Sequence, residues 1–152
     1  MATKKMALIV TKGTLDMAYP PFILASTAAA LDYEVQIFFT FYGLQLLRKD
    51  LSAVNVSLLD NPTLSMPTLA KILPGMESMA TLMMKNKLKE KGVASLEELR
   101  DACLESGVKF VACQMTVDLF DLKPSELIDA AAPGGAATFL EFAGEADISL
   151  FI

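Results

Sequence analysis

Residues 4–11, KKMALIVT, lead into an unbroken apolar run that stops at the polar KGTLD. A strand buried on both faces has this pattern, because a central parallel strand is covered by helices above and below. The next stretch, AYPPFILASTAAALD, carries apolar and small residues to Asp32, long enough for a helix. Proline lacks an N–H group, and only the first four N–H groups of a helix do without intrahelical partners. With Pro20 and Pro21 in place, the helix is therefore expected to begin near Ala18, or a loose turn to precede a kink there. Residues 33–43, YEVQIFFTFYG, alternate and then become wholly apolar, which predicts a second central strand. Strand, helix and strand in succession are the grammar of a parallel βαβ unit.

The middle of the chain breaks this rhythm. GLQLLRKDL, 43–51, reads as a short helix, and 52–75 is interrupted by Pro62, Pro67 and Pro74 without a clean period. MESMATLMMKNKLKEKG is helical, with Met76, Met79 and Met83 on one face. Its lysines suit the negative end of the helix dipole, and Gly92 suits its C-terminal stop. Relative to a minimal βαβ pattern the segment at about 62–91 is a Met-rich helical insertion. The plain reading of the segment is a helix packed in the core; since a flexible Met-rich face also serves as an adaptable contact surface, the sharper expectation is an oligomer contact or a cover over the Cys113 site.

The pattern then becomes regular again. SLEELRDACLESG, 95–107, opens with Ser95 and has Glu98 three residues on, which is the capping-box arrangement. VKFVACQM, 108–115, reads as a strand. KPSELIDAA reads as the start of a helix capped by Ser125, PGG at 133–135 as a loop, GGAATFLEFAGEA at 134–146 as a helix and DISLFI as a last strand. With no internal repeat, residues 1–152 are expected to form one domain. The fold class is α/β, a three-layer sandwich with a mainly parallel sheet of four or five strands and helices on both faces.

Composition narrows the functions. The chain is 53% hydrophobic and 20% charged, which predicts apolar surface covered by a partner subunit or a ligand. No apolar run approaches the roughly 20 residues of a spanning helix, so stable membrane insertion is not expected. The first residues read as a strand and not as a signal peptide. Net charge is −5, and from Asp101 onward nine acids face only Lys109 and Lys123. This argues against nucleic acid as the main partner, since phosphate binding needs a positive face, and leaves a small anion or an acidic protein as what a local basic patch could hold. The basic residues cluster instead in KNKLKEKG, 85–92.

The sequence contains no histidine, which removes Ser-His and Cys-His catalysis and histidine metal sites. Two cysteines ten residues apart make a poor zinc set, and no P-loop or GxGxxG occurs. Neither metal nor organic cofactor is expected. Two cysteines without a secretory signal predict free thiols in a reducing compartment.

Those thiols are the candidate chemistry. In an open parallel sheet ligands gather outside the carboxyl ends of the strands. The loops there offer Thr11, Lys12, Gly13, Asp16 and Tyr19 from the first strand and Thr40, Tyr42 and Gly43 from the second. The strand that ends in Cys113 adds Gln114, Thr116 and Asp118. A thiol without histidine is activated by backbone N–H groups, a helix N-terminus or a lysine, and Lys12 is the lysine in position. A cysteine in an apolar strand is also a common small buried hydrophobe, and both readings stand at this point. Cys103 falls on the apolar stripe of the 95–107 helix with Leu96 and Leu99, which makes it a core residue.

TKGTLDMAYPPFILASTAAALDYEVQIFFTFYGLQLL, followed by SGVKFVACQMTVDLF and joined by LPGMESMATLMMKNKL, resembles the DsrE/DsrF/DsrH-like family over nearly the whole chain. The resemblance implies a small parallel α/β fold and a homo-oligomer, a trimer or a multiple of it, in the cytoplasm. It implies a sulfurtransferase or sulfur-carrier role in which Cys113 holds sulfur as a persulfide or thiosulfonate. The sulfur would come from a small donor and be exchanged with a TusA-like carrier protein. Thr11, Lys12, Gly13, Tyr19, Thr40, Tyr42 and Gln114 are the expected pocket lining. The alternative is a non-catalytic oligomeric protein that binds a small anion or an apolar ligand, with Cys113 merely buried. A redox pair of Cys103 and Cys113 would require the two to approach across a helix-to-strand reversal, which is not expected.

Overall fold

A computed structural model describes residues 2–59 and 65–152 of the chain. Its five strands are β1 (Lys5–Val10), β2 (Glu34–Phe39), β3 (Lys109–Cys113), β4 (Ala131–Gly134) and β5 (Ile148–Phe151). They form one parallel sheet in the order β4-β3-β2-β1-β5. Helices are α1 (Leu15–Ala30), α2 (Thr68–Lys71), α3 (Met76–Glu90), α4 (Leu96–Glu105), α5 (Gln114–Leu119) and α6 (Ala136–Ala143).

The strand order explains the layers. From β1 to β4 the chain steps along the sheet in one direction, and right-handed crossovers put the intervening helices on one face. The return from β4 to β5 reverses direction, so the helix on that crossover lands on the other face. Side-chain packing follows: Leu8, Ile37, Phe39 and Phe110 meet Ala18, Phe22 and Ala25 of α1 and Cys103 of α4. On the opposite face Ala7, Phe38, Val111 and Cys113 meet Phe139 of α6. Phe38 and Phe139 stack at 5.0 Å and 18°. The three-layer α/β sandwich expected from the pattern is the observed fold.

Three local readings change. Helix α1 starts at Leu15, three residues before Ala18, and carries Pro20 and Pro21 inside it. Its first turn is held from outside, since the Leu15 N–H donates to the Asn55 carbonyl at 2.9 Å, and packing of Ala18, Pro21, Phe22 and Ala25 outweighs two lost bonds. Residues after Phe39 leave the sheet: Phe41–Leu47 form a 3-10 helix, so the expected strand to Gly43 ends four residues early. The helix expected from Ser125 is only a 3-10 turn, Pro124–Glu126, with Lys123 in the cap position. The chain then forms β4, whose AAPG had been read in part as a loop. Proline is tolerated there because β4 is an edge strand.

The capping box is as read, with Ser95 Oγ accepting from the Glu98 N–H at 3.2 Å and Glu98 from the Ser95 N–H at 2.7 Å. Residues 62–64 of the expected Met-rich insertion lie outside the described residues. The rest forms α2 and α3, and of α3 only Thr81 is buried.

Candidate functional site

Cys113 closes β3 and occupies the cap position of α5. The apolar run KFVAC needs both faces of the sheet, whereas QMTVDL has the polar spacing of a short surface helix, so the chain changes conformation at the sulfur. The side chain points to the α6 face and is 5% exposed. Cys103, 0% exposed, lies in the core on the other face. The sheet therefore separates the two free thiols.

The surroundings shift the two thiols in opposite directions. Burial pushes Cys103 up to about 11, and its sulfur donates to the Phe22 carbonyl at 3.3 Å. Burial also raises Cys113 and is the largest single influence there. The hydroxyl and N–H of Thr116, the Thr40 hydroxyl and the Met115 N–H together outweigh it and leave the thiol below an ordinary cysteine. The sulfur closes no full capping bond to α5; it feels these groups as a set of polar hydrogens. Lys12 is not among the groups that lower it.

Thr116 anchors the set. It is fully buried, its Oγ1 lies 3.3 Å from Thr40 Oγ1, and it accepts the Phe41 N–H at 3.1 Å. Phe41 has φ of +48°, a left-handed conformation that few large side chains adopt. That turn brings Phe41 and Tyr42 against Phe120. Phe41 meets Phe120 edge-on at 6.4 Å, and Tyr42 stacks on Phe120 at 5.8 Å. Tyr42 is 65% exposed, and Met115 and Leu119 extend the apolar surface.

The fold and the sequence of the whole chain have counterparts among known proteins. The structure of the ychN protein from E. coli superposes with a TM-score of 0.58 at 11% identity, covering 99% of this chain and all of that one, and shows a shared fold. A family model described as DsrE/DsrF/DrsH-like matches residues 2–151. The chain belongs to the DsrE/DsrF/DrsH-like family. Among its relatives are Sulfur carrier protein DsrE2 of Allochromatium vinosum, 60% identical over the full length of both chains, and the uncharacterized protein YrkE of Bacillus subtilis. YrkE is 36% identical over 99% of this chain and 98% of its own.

Within this family fold the residues singled out in the sequence are distributed unevenly. Thr40 sits with Cys113 and Thr116. Tyr42 stacks on Phe120, exposed on the surface. Gln114 projects from α5 and donates to Asp118 Oδ1 at 2.8 Å. Thr11 bonds to the Ile152 carbonyl through its N–H at 3.0 Å and its hydroxyl at 3.2 Å, which ties β1 to the chain end beyond β5. Gly13 serves close approach: a Cβ there would lie 2.3 Å from the Tyr42 carbonyl oxygen. Lys12 belongs to the same β1–α1 loop.

Tyr19 looks elsewhere. Its hydroxyl donates to the Ala94 carbonyl at 3.0 Å, at a groove of about 450 Å³ between α1, α3 and α4. Sequence reasoning passed over Phe41 and Phe120 and gave Thr116 no role of its own. The available signal for Thr116 was its spacing, three residues after a cysteine at a strand-to-helix junction, where a cap and its third helical residue face each other.

Proposed function

We propose that the chain is a sulfur carrier with sulfurtransferase chemistry at Cys113. The Cys113 thiolate attacks the outer sulfur of a small donor R–S–SH. A new S–S bond forms on Cys113, R–S⁻ departs, and no net oxidation occurs. The sulfur is held as a persulfide, or as a thiosulfonate where the donor is a polythionate such as tetrathionate, whose central S–S bond breaks with thiosulfate as the leaving group, and passes to a TusA-like carrier protein. The observation that carries this reading is the thiol at the β3–α5 junction, lowered by polar hydrogens without any histidine. Membership beside a protein called Sulfur carrier protein DsrE2 supports it. Thiolate exchange of this type needs no metal or organic cofactor.

In this reading Lys12 and Thr11, Gly13, Thr40, Tyr42 and Gln114 form the loops that a partner meets at the carboxyl edge of the sheet, and Tyr19 holds the loop before α4. The chain works in the cytoplasm as a homo-oligomer, a trimer or a multiple of it. Exposed Leu69, Ile72, Leu82 and Met83 on α2 and α3 supply apolar surface for such contacts. Because Cys113 is 5% exposed, exchange includes displacement of a side chain over the sulfur.

The groove at Tyr19, lined also by Lys85, Lys89 and Glu98, favours a second reading, a small-ligand binding protein with an inert Cys113. A thiol reagent separates the two. The carrier reading expects iodoacetamide to label Cys113 of the native protein near neutral pH and Cys103 only in urea. Labelling of both only in urea would support the binding protein.

A further inference from the structure

The groove of about 450 Å³ between α1, α3 and α4 has a closed end fixed by three local devices. Helix α3 stops at Gly92, whose φ of +72° glycine adopts without steric cost. The Gly92 N–H donates to the Lys89 carbonyl at 3.1 Å and the Val93 N–H to the Leu88 carbonyl at 2.9 Å, a paired stop that turns the chain back on the helix. Leu88 and Val93 both line the groove. The Tyr19 hydroxyl then donates to the Ala94 carbonyl at 3.0 Å and pins the connection to α1. One residue later the Ser95–Glu98 capping box opens α4. The turn is thus held from α1, α3 and α4 together, and the groove keeps its shape without a ligand.

Its walls carry opposite charge. Helix α3 contributes Lys85 and Lys89, one turn apart and so on one face, and α4 contributes Glu97 and Glu98. Among the described residues no ion pair joins these lysines to these carboxylates. Between the walls the floor is apolar, with Leu15, Leu51 and Leu96 all buried. The helix dipoles account for the signs of the charges, since cations suit the end of α3 and anions the start of α4. They do not account for an apolar floor between two walls whose charges do not meet.

We propose that this groove is a binding site for a small zwitterion with an apolar body, a dipeptide with apolar side chains. Helices in contact stand roughly 8–10 Å apart, so charges on facing helices are bridged by a molecule whose ammonium and carboxylate lie several bonds apart. The two ends of a dipeptide meet that condition, and a single α-amino acid does not. The carboxylate pairs with Lys85 and Lys89, the ammonium with Glu97 and Glu98, and the side chains cover the leucine floor. The Tyr19 oxygen gives its proton to Ala94 and keeps lone pairs for the dipeptide amide N–H. The volume falls within the roughly 300–1,000 Å³ of small-molecule sites. Of α3 only Thr81 is buried, so a ligand clamped between α3 and α4 adds packing that α3 lacks. The Cys113 side chain lies on the opposite face of the sheet, and the site works independently of its sulfur chemistry.

The test is calorimetric titration of the full chain with leucylleucine, beside its N-acetyl form, which lacks the ammonium, and its C-terminal amide, which lacks the carboxylate. Leucylleucine is expected to bind saturably, and each blocked form about tenfold more weakly. Lys85→Gln with Lys89→Gln is expected to weaken leucylleucine about tenfold and to leave the amide form unchanged. Glu97→Gln is expected to weaken leucylleucine and to leave the N-acetyl form unchanged, a coupling that a general loss of structure does not produce. Amide exchange across Met76–Glu90 should slow when leucylleucine is bound. Absence of saturable binding up to about 10 mM overturns the proposal, as do blocked forms that bind as tightly as the free dipeptide. A lysine double variant that weakens all three peptides equally also overturns it. Sulfur loading of Cys113 is read by mass and filling of the groove by heat, so failure of either leaves the other standing.

Discussion

Two cysteines in one small fold show how surroundings decide what a sulfur does. Cys103 has a core on every side and one carbonyl acceptor, so the neutral thiol is favoured. Its pKa of about 11 in the folded state, against 9.0 for a free thiol, makes a sign-definite prediction. The unfolded chain loses this proton first as pH rises, so the stability linked to Cys103 is intact below about pH 9 and is lost up to about pH 11. Thermal unfolding midpoints should fall over this window more steeply in the parent than in Cys103→Ala; equal slopes would contradict the assignment. For Cys113 the sign reverses: the lowered thiol contributes stability above its unfolded pKa, lost as pH falls through the folded one. The place of Cys113 was legible in the sequence, because it ends the apolar run that forms β3. The Thr116–Phe41 contact was not, since |i−j| of 75 is set by how β2 and β3 lie together.

At the scale of elements, α1, α4 and the central strands were readable, and the reason is physical. Their side chains meet the core at the period that the local conformation demands, as Ser95 and Glu98 also do at the start of α4. Elements that depend on neighbours were misread. Residues 41–47 follow β2 as a 3-10 helix because Gly43 passes so close to β1 that a Cβ would lie 2.2 Å from the Val10 carbonyl oxygen. The four residues of β4 carry a proline and little apolar signal, and their register against Phe110–Cys113 makes them a strand.

Helix α3 buries a single side chain. Its buried tie is Thr81, whose Oγ1 accepts the Val56 N–H at 2.9 Å, both residues being buried. Replacing Thr81 by Val preserves volume and leaves that N–H unpaired, a cost of about 1–3 kcal/mol. Urea unfolding should show the loss, and amide exchange should quicken across Met76–Glu90 before the sheet; exchange unchanged in α3 would mean that Thr81 is not its anchor.

For the whole molecule, surface area carries the argument. A folded monomer of 16.4 kDa is expected to expose about 7,500 Å² by the usual scaling, whereas this chain exposes 8988 Å². The excess fits an extended α2–α3 arm that carries Leu69, Ile72, Leu82 and Met83 and an edge strand, β5, whose four residues are all exposed. Sedimentation at micromolar concentration should give a mass well above one chain, and Leu82→Glu with Met83→Glu should shift it toward the monomer. A single chain at all concentrations would contradict a homo-oligomer. The excess apolarity that permits this was visible in composition, but its location was not, because α3 shows apolar spacing whether or not a core receives it.

The carrier assignment itself is tested most directly by intact mass of the native protein after incubation with polysulfide, beside Cys113→Ser and Cys103→Ser. The account predicts added sulfur on the parent and on Cys103→Ser, removed by cyanide, and none on Cys113→Ser. Equal loading of Cys113→Ser, or no loading of the parent, would contradict it.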